Sequence, residues 1–405
     1  MTPPTSTAAA SERPSSLAVL WVFLRLGLTS FGGPVAHLGY FRSEFVERRR
    51  WLDDHSFTDL VALCQFLPGP SSSQVGIAIG MLRAGWLGSL CAWIGFTLPS
   101  ALLLIVAAYG LASHAWLAQS GAVHGLKIAA AAVIAQAVWG MGRSLCTDRA
   151  TVGVALGAAL LTLAVPGASG QLAAIALSAV IGLAWHRASS TLHVAPRGFG
   201  VSKRSGAVLL AIFVALLLGL PLLADALGST LLHLVDGFFR AGALVFGGGH
   251  VVLPLLQSVV VPSGVVSNAD FLAGYGAAQA VPGPLFTFAA FLGALIPTAF
   301  PPWIAGLGFL LAIFLPAWLL VLGALPFWDA LRRHAGVRSA LTGVNAGVVG
   351  LLLAALYDPV WTSTIHARAD FALALAAFGL LVVARVSPLI VVMLAAASGW
   401  LLAAL

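Results

Sequence analysis

The chain has 405 residues, 60% of them hydrophobic and 8% charged, with a formal net charge of +7 and a mean hydropathy of +1.01. That composition excludes a soluble globular domain and places the chain among helical membrane proteins. The surplus of Lys and Arg reads as loop charge facing a cytoplasm, and no nucleic-acid partner is expected, because no soluble basic face accompanies it.

Residues 1–16 (MTPPTSTAAASERPSS) read as a flexible tail with no clear cleavage site, and so not as a removable signal peptide. Apolar runs long enough to cross about 30 Å of hydrocarbon, at ~20 residues each, follow at 17–38, 86–112, 121–142, 150–166, 170–186, 206–227, 232–253, 302–325, 339–357, 371–386 and 388–405. Tryptophans near the run ends, among them Trp21, Trp51, Trp328, Trp361 and Trp400, suit the headgroup level of a bilayer. Cys64, Cys91 and Cys146 are isolated in apolar sequence, so neither a disulfide framework nor a metal site is implied, and no cofactor is expected.

The sequence is a duplication. FLRLGLTSFGGPVAHL (23–38) aligns without a gap with FFRAGALVFGGGHVVL (238–253), pairing Arg25 with Arg240 and Phe31-Gly32-Gly33 with Phe246-Gly247-Gly248. QFLPGP (65–70) returns as QAVPGP (279–284), pairing Gln65 with Gln279 and Pro68, Gly69 and Pro70 with Pro282, Gly283 and Pro284. Pro99 then matches Pro316, and Gly125 matches Gly343. The expected organisation is an N-terminal repeat over 17–186, a basic cytoplasmic linker over 187–205 and a C-terminal repeat over 206–405.

Loop charges address the orientation of the halves. The loop after the first repeat helix carries Arg42, Arg48, Arg49 and Arg50, while its counterpart at 254–270 has no Lys or Arg. Later the asymmetry reverses, since 113–120 lacks basic residues and its counterpart carries Arg332, Arg333 and Arg338. That reversal predicts inverted-topology repeats, although the apolar runs do not supply the odd number of crossings that inversion needs. The expected fold is therefore an all-α polytopic membrane protein of two homologous halves, with Pro-Gly-Pro-broken or re-entrant helices near the midplane.

Proline removes a backbone donor and clashes with the preceding turn, so Pro68, Pro70, Pro282 and Pro284 are expected to break helices. In hydrocarbon the freed polar groups need protein or a water-filled cavity. A helix restarting after the break points its first N–H groups into that cavity, and two such ends make an anion site. Ser71, Ser72, Ser73 and Gln74 follow the first motif and Thr287 the second, so the first is expected to carry most polar contacts. A kink or interfacial turn would use the same residues.

Arg25 and Arg240 lie in apolar runs, six residues before a Phe-Gly-Gly, and read either as charges facing a polar interior or as snorkelling side chains. Asp236 precedes Arg240 by four residues and could pair with it. Lys127 adds a third internal cation, and a basic interior suits an anionic substrate. His37 and His250 could titrate near neutral pH or be hydrogen-bonded core residues. Within EFVERRRWLDD, Glu44, Glu47 and Arg48 read as an ion-paired cytoplasmic anchor or as proton-linked gate residues.

FGGPVAHLGYFRSEFVERRRWLDDHSFTDLVALCQFLPGPSSSQ, followed by FGGGHVVLPLL and FLAGYGAAQAVPGPLFTFAAFLGA, closely resembles the chromate ion transporter (CHR) family in its fused, two-domain form. The resemblance covers both halves. It implies a bacterial inner-membrane protein that exports chromate, a tetrahedral dianion and sulfate mimic, confers chromate resistance, and runs on the proton motive force or membrane potential. It also implies that Arg25, Gly32, Gly33, Pro34, Glu44, Arg48, Trp51, Gln65, Pro68, Gly69, Pro70 and Gln74 matter in the first half, and Gly247, Gly248, Gln279, Pro282, Gly283 and Pro284 in the second. Gln257-Ser258-Val259 departs from the acidic residue expected in many relatives.

The reading that follows is a secondary transporter, with chromate or a sulfate-like oxyanion as ligand, protons as a candidate coupling ion and a homodimer as one assembly open to it. The chromate site is expected between the two breaks, on Arg25, Gly32, Gly33, Gln65, Gly69, Ser72, Ser73, Gln74, Gly247, Gly248, Gln279, Gly283 and Thr287. Glu44, Glu47, Arg48, Lys127, Arg240, His37 and His250 are the candidates for charge or proton coupling. A sulfate carrier, an anion channel on the same helix ends and a membrane-embedded enzyme are the alternatives. The chain carries no GxxxxGK[ST], HExxH or GxSxG, so an enzyme is not expected.

Overall fold

A computed structural model describes residues 14–113, 120–184, 200–246, 249–331 and 334–404. Helix α1 (Ser16–Thr29) opens on Ser15, whose side chain accepts from the Ala18 N–H. It stops at Ser30, and α2 (Gly33–Arg42) restarts with Pro34 near its start, after Gly32 at φ 99°. The apolar run 17–38 is thus two helices, because a glycine in a left-handed conformation lets the chain turn where an α-helix cannot continue.

A π-helical turn (Ser43–Arg48) extends α2, and α3 (Asp54–Phe66) begins under an Asp53 cap. Leu67 is extended, Gly69 has φ 120°, and α4 (Ser71–Ser113) restarts after Pro70. α4 is itself bent at Ala84 and Gly85; the latter, at φ 64° and ψ −153°, occupies backbone space essentially reserved for glycine. Next come α5 (Gly121–Leu145), α6 (Arg149–Ala164), α7 (Ala168–Ala184) and α8 (Lys203–Leu227).

The second half repeats the series. α9 (Thr230–Ala243) corresponds to α1, α10 (Val252–Val260) to α2, and α11 (Asn268–Ala280) to α3. After the break at 281–284, α12 (Phe288–Leu295) and α13 (Pro302–Ala324) stand for the two sections of α4. A short α14 (Trp328–Leu331) leads to α15 (Ala335–Ala355), α16 (Arg368–Val382) and α17 (Pro388–Ala404), the counterparts of α5, α6 and α7. Among the described residues, α8 has no counterpart in the first half.

Among the described residues, five helices are long and apolar enough to cross a membrane: Ser71–Ser113, Gly121–Leu145, Lys203–Leu227, Pro302–Phe327 and Ala335–Trp361. Several others are apolar but shorter, including α1, α6 and Pro388–Leu402 within α17. Small residues let the backbones meet. A Cβ on Gly27 would lie 2.8 Å from the Phe96 carbonyl, and one on Gly242 would lie 2.0 Å from the Ile313 carbonyl, so α1 packs on α4 as α9 packs on α13.

The fifth helix of each half crosses over. α5 packs mainly on α17, α11, α16 and α15, while α15 packs mainly on α6, α7 and α5. Matched glycines carry the exchange. A Cβ on Gly125 would meet the Ala395 carbonyl at 2.1 Å, and one on Gly343 the Ser178 carbonyl at 2.0 Å. The halves are interlocked, with one continuous core extending from Ala101 and Val123 in the first to Phe291 and Leu352 in the second.

Candidate functional site

The helix breaks of the two halves meet, and they meet crosswise. The Gly69 N–H donates to the Val245 carbonyl at 2.7 Å, and the Gly283 N–H donates to the Ser30 carbonyl at 2.9 Å. Each Pro-Gly-Pro thus docks on the residue preceding the Phe-Gly-Gly of the other half. The surroundings correspond too. A Cβ on Gly69 (φ 120°) would meet the Ala317 methyl at 3.2 Å, and one on Gly283 (φ 96°) would meet Ser100 Oγ at 2.8 Å. The Pro34 ring lies 3.6 Å from the Cβ position of its own repeat equivalent, Gly249. These reciprocal contacts describe a pseudo-two-fold relation through the junction.

Beside the second break lies a cavity of about 890 Å³, lined by Phe31, Gly32, Gly33 and Pro34 of the first half and by His250, Gln279, Val281, Gly283 and Leu285 of the second. Its wall continues along α5 through Gln136, Trp139, Arg143 and Ser144 to the turn between α16 and α17, at Arg385, Ser387 and Pro388. Among the described residues that line it there is no Asp or Glu, and both charged ones are arginines. Arg143 sits 5.8 Å over the Trp139 ring, in the last turn of α5. His250 Nδ1 shares a hydrogen bond of 2.8 Å with the Tyr275 hydroxyl.

Of the residues expected to bind substrate, the structure brings Gly32, Gly33, Gln279 and Gly283 to this cavity, with His250 from the coupling set. Gly247 and Gly248 lie outside the described residues. Arg25 and Gln65 do not line it; both are exposed, because α1 and α3 turn those positions away from their packed faces.

Ser72, Ser73, Gln74 and Thr287 are buried, and they do not line the cavity either. Gln74 Nε2 donates to the Pro68 carbonyl at 2.7 Å, and Thr287 Oγ1 to the Pro284 carbonyl at 2.7 Å, so both amide and hydroxyl brace the breaks themselves. The expectation that the first motif offers most of the polar contacts is thus not met at this cavity, which is built on the second. His37 is buried, with Nδ1 3.3 Å from Ser72 Oγ.

The coupling candidates are mostly paired. Arg240 holds Asp236 through Nε at 2.8 Å and 2.9 Å and donates through Nη2 to the Leu217 carbonyl at 2.8 Å. Pro221 lacks the N–H that would otherwise reach that carbonyl. Arg240 is therefore a brace between α8 and α9. Lys127 is half-buried, within electrostatic reach of Asp270.

Glu47 pairs with Arg42 at 2.6 Å on the surface, and Glu44 accepts from Arg49 at 2.6 Å and Arg48 at 3.1 Å. Burial alone would raise the Glu44 pKa, but its hydrogen bonds and the charges of Arg49 and Arg48 outweigh it and hold the carboxyl below its usual range. Glu44 thus stays ionised near neutral pH, which does not fit the role of a proton-linked gate residue.

A depressed folded-state pKa contributes stability that is present above the unfolded value and is lost as pH falls through the folded one. Acidification through the carboxylate range should therefore loosen residues 43–50, seen as faster hydrogen exchange there. Glu44→Gln should leave the pH profile of activity around neutrality unchanged; a profile shifted there would return Glu44 to the coupling set.

Sequence reasoning missed Gln136, Arg143 and Arg385. A single arginine at a helix end reads as a loop anchor, and only the Trp139–Arg143 spacing of four residues hinted that one was held in place.

The sequence profile described as "Chromate transporter" matches residues 17–183 and 232–400, leaving all of α8 between its two segments. The chain is 30% identical over 361 residues to the "Chromate transport protein" of Pseudomonas aeruginosa, covering 87% of this chain and 83% of that one. It is 27% identical over 302 residues to the "Chromate transport protein" of Cupriavidus metallidurans, covering 73% and 72%. An uncharacterized transporter of Methanocaldococcus jannaschii is 26% identical over 350 residues, covering 85% and 84%. No solved structure matches this chain. With both repeats matched and apolar helices long enough to cross a bilayer, this chain is a membrane protein that belongs to the chromate transporter family.

Proposed function

We propose that this protein is a secondary active transporter that exports chromate across the bacterial inner membrane and so confers chromate resistance. The proton motive force or the membrane potential drives it. The observation that carries this reading is the cavity of about 890 Å³ whose charged lining, among the described residues, consists of Arg143 and Arg385 alone. A dianion entering it meets guanidinium groups and no opposing carboxylate, and guanidinium donors match the oxygens of a tetrahedral oxyanion. The relatives named as chromate transport proteins support chromate over other oxyanions.

The chain is multi-pass, and its halves are inverted. Trp51 lies 5.5 Å from both the Arg49 and the Arg83 guanidinium groups, so the loop after α2 and the bend of α4 lie together. That supports α1–α2 and α3–α4 as two hairpins dipping from the basic, cytoplasmic side. α9–α10 and α11–α12 dip from the other side, and the tips meet at the crossed Gly69 and Gly283 bonds. α8, with no repeat equivalent among the described residues, is the extra crossing that reverses the second half. The cavity then runs from the cytoplasmic ends of α5 and α16 to the junction, as the loading state of an exporter requires.

Everted membrane vesicles should accumulate radiolabelled chromate when energised, and an uncoupler should abolish the uptake. Flux with the membrane potential and the pH gradient clamped separately would distinguish proton coupling from potential-driven transport. Excess sulfate should compete if the site reads charge and shape. Absence of energised uptake by vesicles that contain the protein would end the export reading.

A further inference from the structure

We propose that Arg385, acting with Arg143, is the capture site that draws the oxyanion into the cavity and sets the apparent affinity for it; this rests on the transport reading above. Arg385 stands in the turn between α16 and α17 with φ 54°. Around it the Ala384 N–H returns to the Gly379 carbonyl at 3.1 Å and the Val386 N–H to the Leu380 carbonyl at 2.9 Å. That is a left-handed helix cap, a position where glycine is the usual occupant and a long side chain is disfavoured. Residues held in such backbone space concentrate at functional sites, and Arg385 lines the cavity.

The second guanidinium comes from the other half of the sequence. α5, which carries Arg143, packs on α16 and α17, the two helices that flank Arg385. The exchange of helices therefore brings one arginine from each repeat to the same cavity. Arg143 lies over the Trp139 ring. Arg385 is exposed and forms no ion pair among the described residues, so its charge is available to an incoming anion. A charge at a concave mouth raises the local concentration of an opposite charge.

Arg50 supplies an internal control. It is the other non-glycine residue with positive φ among those described, at 53°, also at a helix end, and it does not line the cavity. Arg385→Gly and Arg50→Gly both relieve the same backbone preference, so both variants should be at least as stable as the parent. They should part in function.

In energised everted vesicles, Arg385→Gly should raise the KM for chromate roughly tenfold or more, with the maximal rate within about twofold. Arg385→Lys should recover most of the affinity, and Arg50→Gly should leave KM unchanged. Raising ionic strength should weaken the parent's apparent affinity more than that of Arg385→Gly. An Arg385→Gly protein with the parent's KM, or one that loses thermal stability, would overturn the capture role.

Calorimetric binding of chromate to the purified protein separates this proposal from the one beneath it. If the parent moves no chromate but binds it, and Arg385→Gly binds it about tenfold more weakly, the export reading fails and the capture site stands. If the parent moves chromate and Arg385→Gly neither binds nor moves it differently, the capture site fails alone.

Discussion

Gly283→Ala should cut chromate transport by on the order of 10- to 100-fold while the protein stays in the membrane. Two effects combine at this position. With φ 96° the residue sits where any Cβ is strained, at about 1–2 kcal/mol. The added methyl would also meet Ser100 Oγ at 2.8 Å and the Phe96 carbonyl at 3.2 Å, and the tightly packed first-half helix that carries both leaves little room to yield. The break must then shift, and with it the bond to the Ser30 carbonyl that joins the halves beside the cavity. Displacements of about 1 Å in a positioned site cost about 100-fold.

Ser100→Gly in the Gly283→Ala background should return part of the activity, because it removes the Ser100 contact and leaves the Phe96 carbonyl contact and the backbone strain. Gly140→Ala is the matched control. Gly140 lines the same cavity, but a Cβ there meets nothing within 4 Å. Equal losses from the two alanines would show that the junction has no special role; an unimpaired Gly283→Ala would show the same.

Asp236→Ala should destabilise the protein by about 2–4 kcal/mol, read as a lower unfolding temperature in mild detergent. Removing one partner of a mostly buried ion pair strands the other, and the stranded charge dominates the cost. Arg240 keeps 29% of its side-chain exposure, which moderates the loss. Replacing both partners by leucine should recover much of it, since no charge is then left unpaired, and adding Pro221→Ala should recover more by giving the Leu217 carbonyl its own helix donor. If Asp236→Ala unfolds at the parent's temperature, the brace between α8 and α9 is energetically idle.

The parts of this fold that were legible in the sequence are those fixed by backbone chemistry. Proline and glycine pairs mark where helices cannot run, so the stops at Phe66 and Ala280 and the restarts beyond them follow from residue type. The duplication was legible because Arg25/Arg240 and Gly125/Gly343 recur in the same order at nearly the same separation. Pairing of Arg240 with Asp236, left open beside an interior role, is what the structure shows, and it needed only a spacing of four residues on one helix.

What escaped the sequence depends on how helices are rotated and exchanged. Hydropathy along α1 and α3 does not say which face Arg25 and Gln65 present when almost every neighbour is apolar, and both turn outward. The crossing of α5 onto α16 and α17 has no local signature, since Gly125 serves equally well against any close backbone. Without that crossing, nothing connects Arg143 to Arg385, residues far apart in sequence that line one cavity. The run 17–38 also hid its break, because apolar content outweighed the glycine pair in a long window.

The exchanged helices also bear on how the chain is made. α5 is complete once Leu145 has been added, but the backbone that Gly125 closes on belongs to Ala395. At about 5–20 residues per second, the intervening synthesis takes on the order of tens of seconds. For that interval the small-residue face of α5 rests against lipid or other protein. The first half therefore cannot complete its structure in the membrane before the ribosome has nearly finished the second.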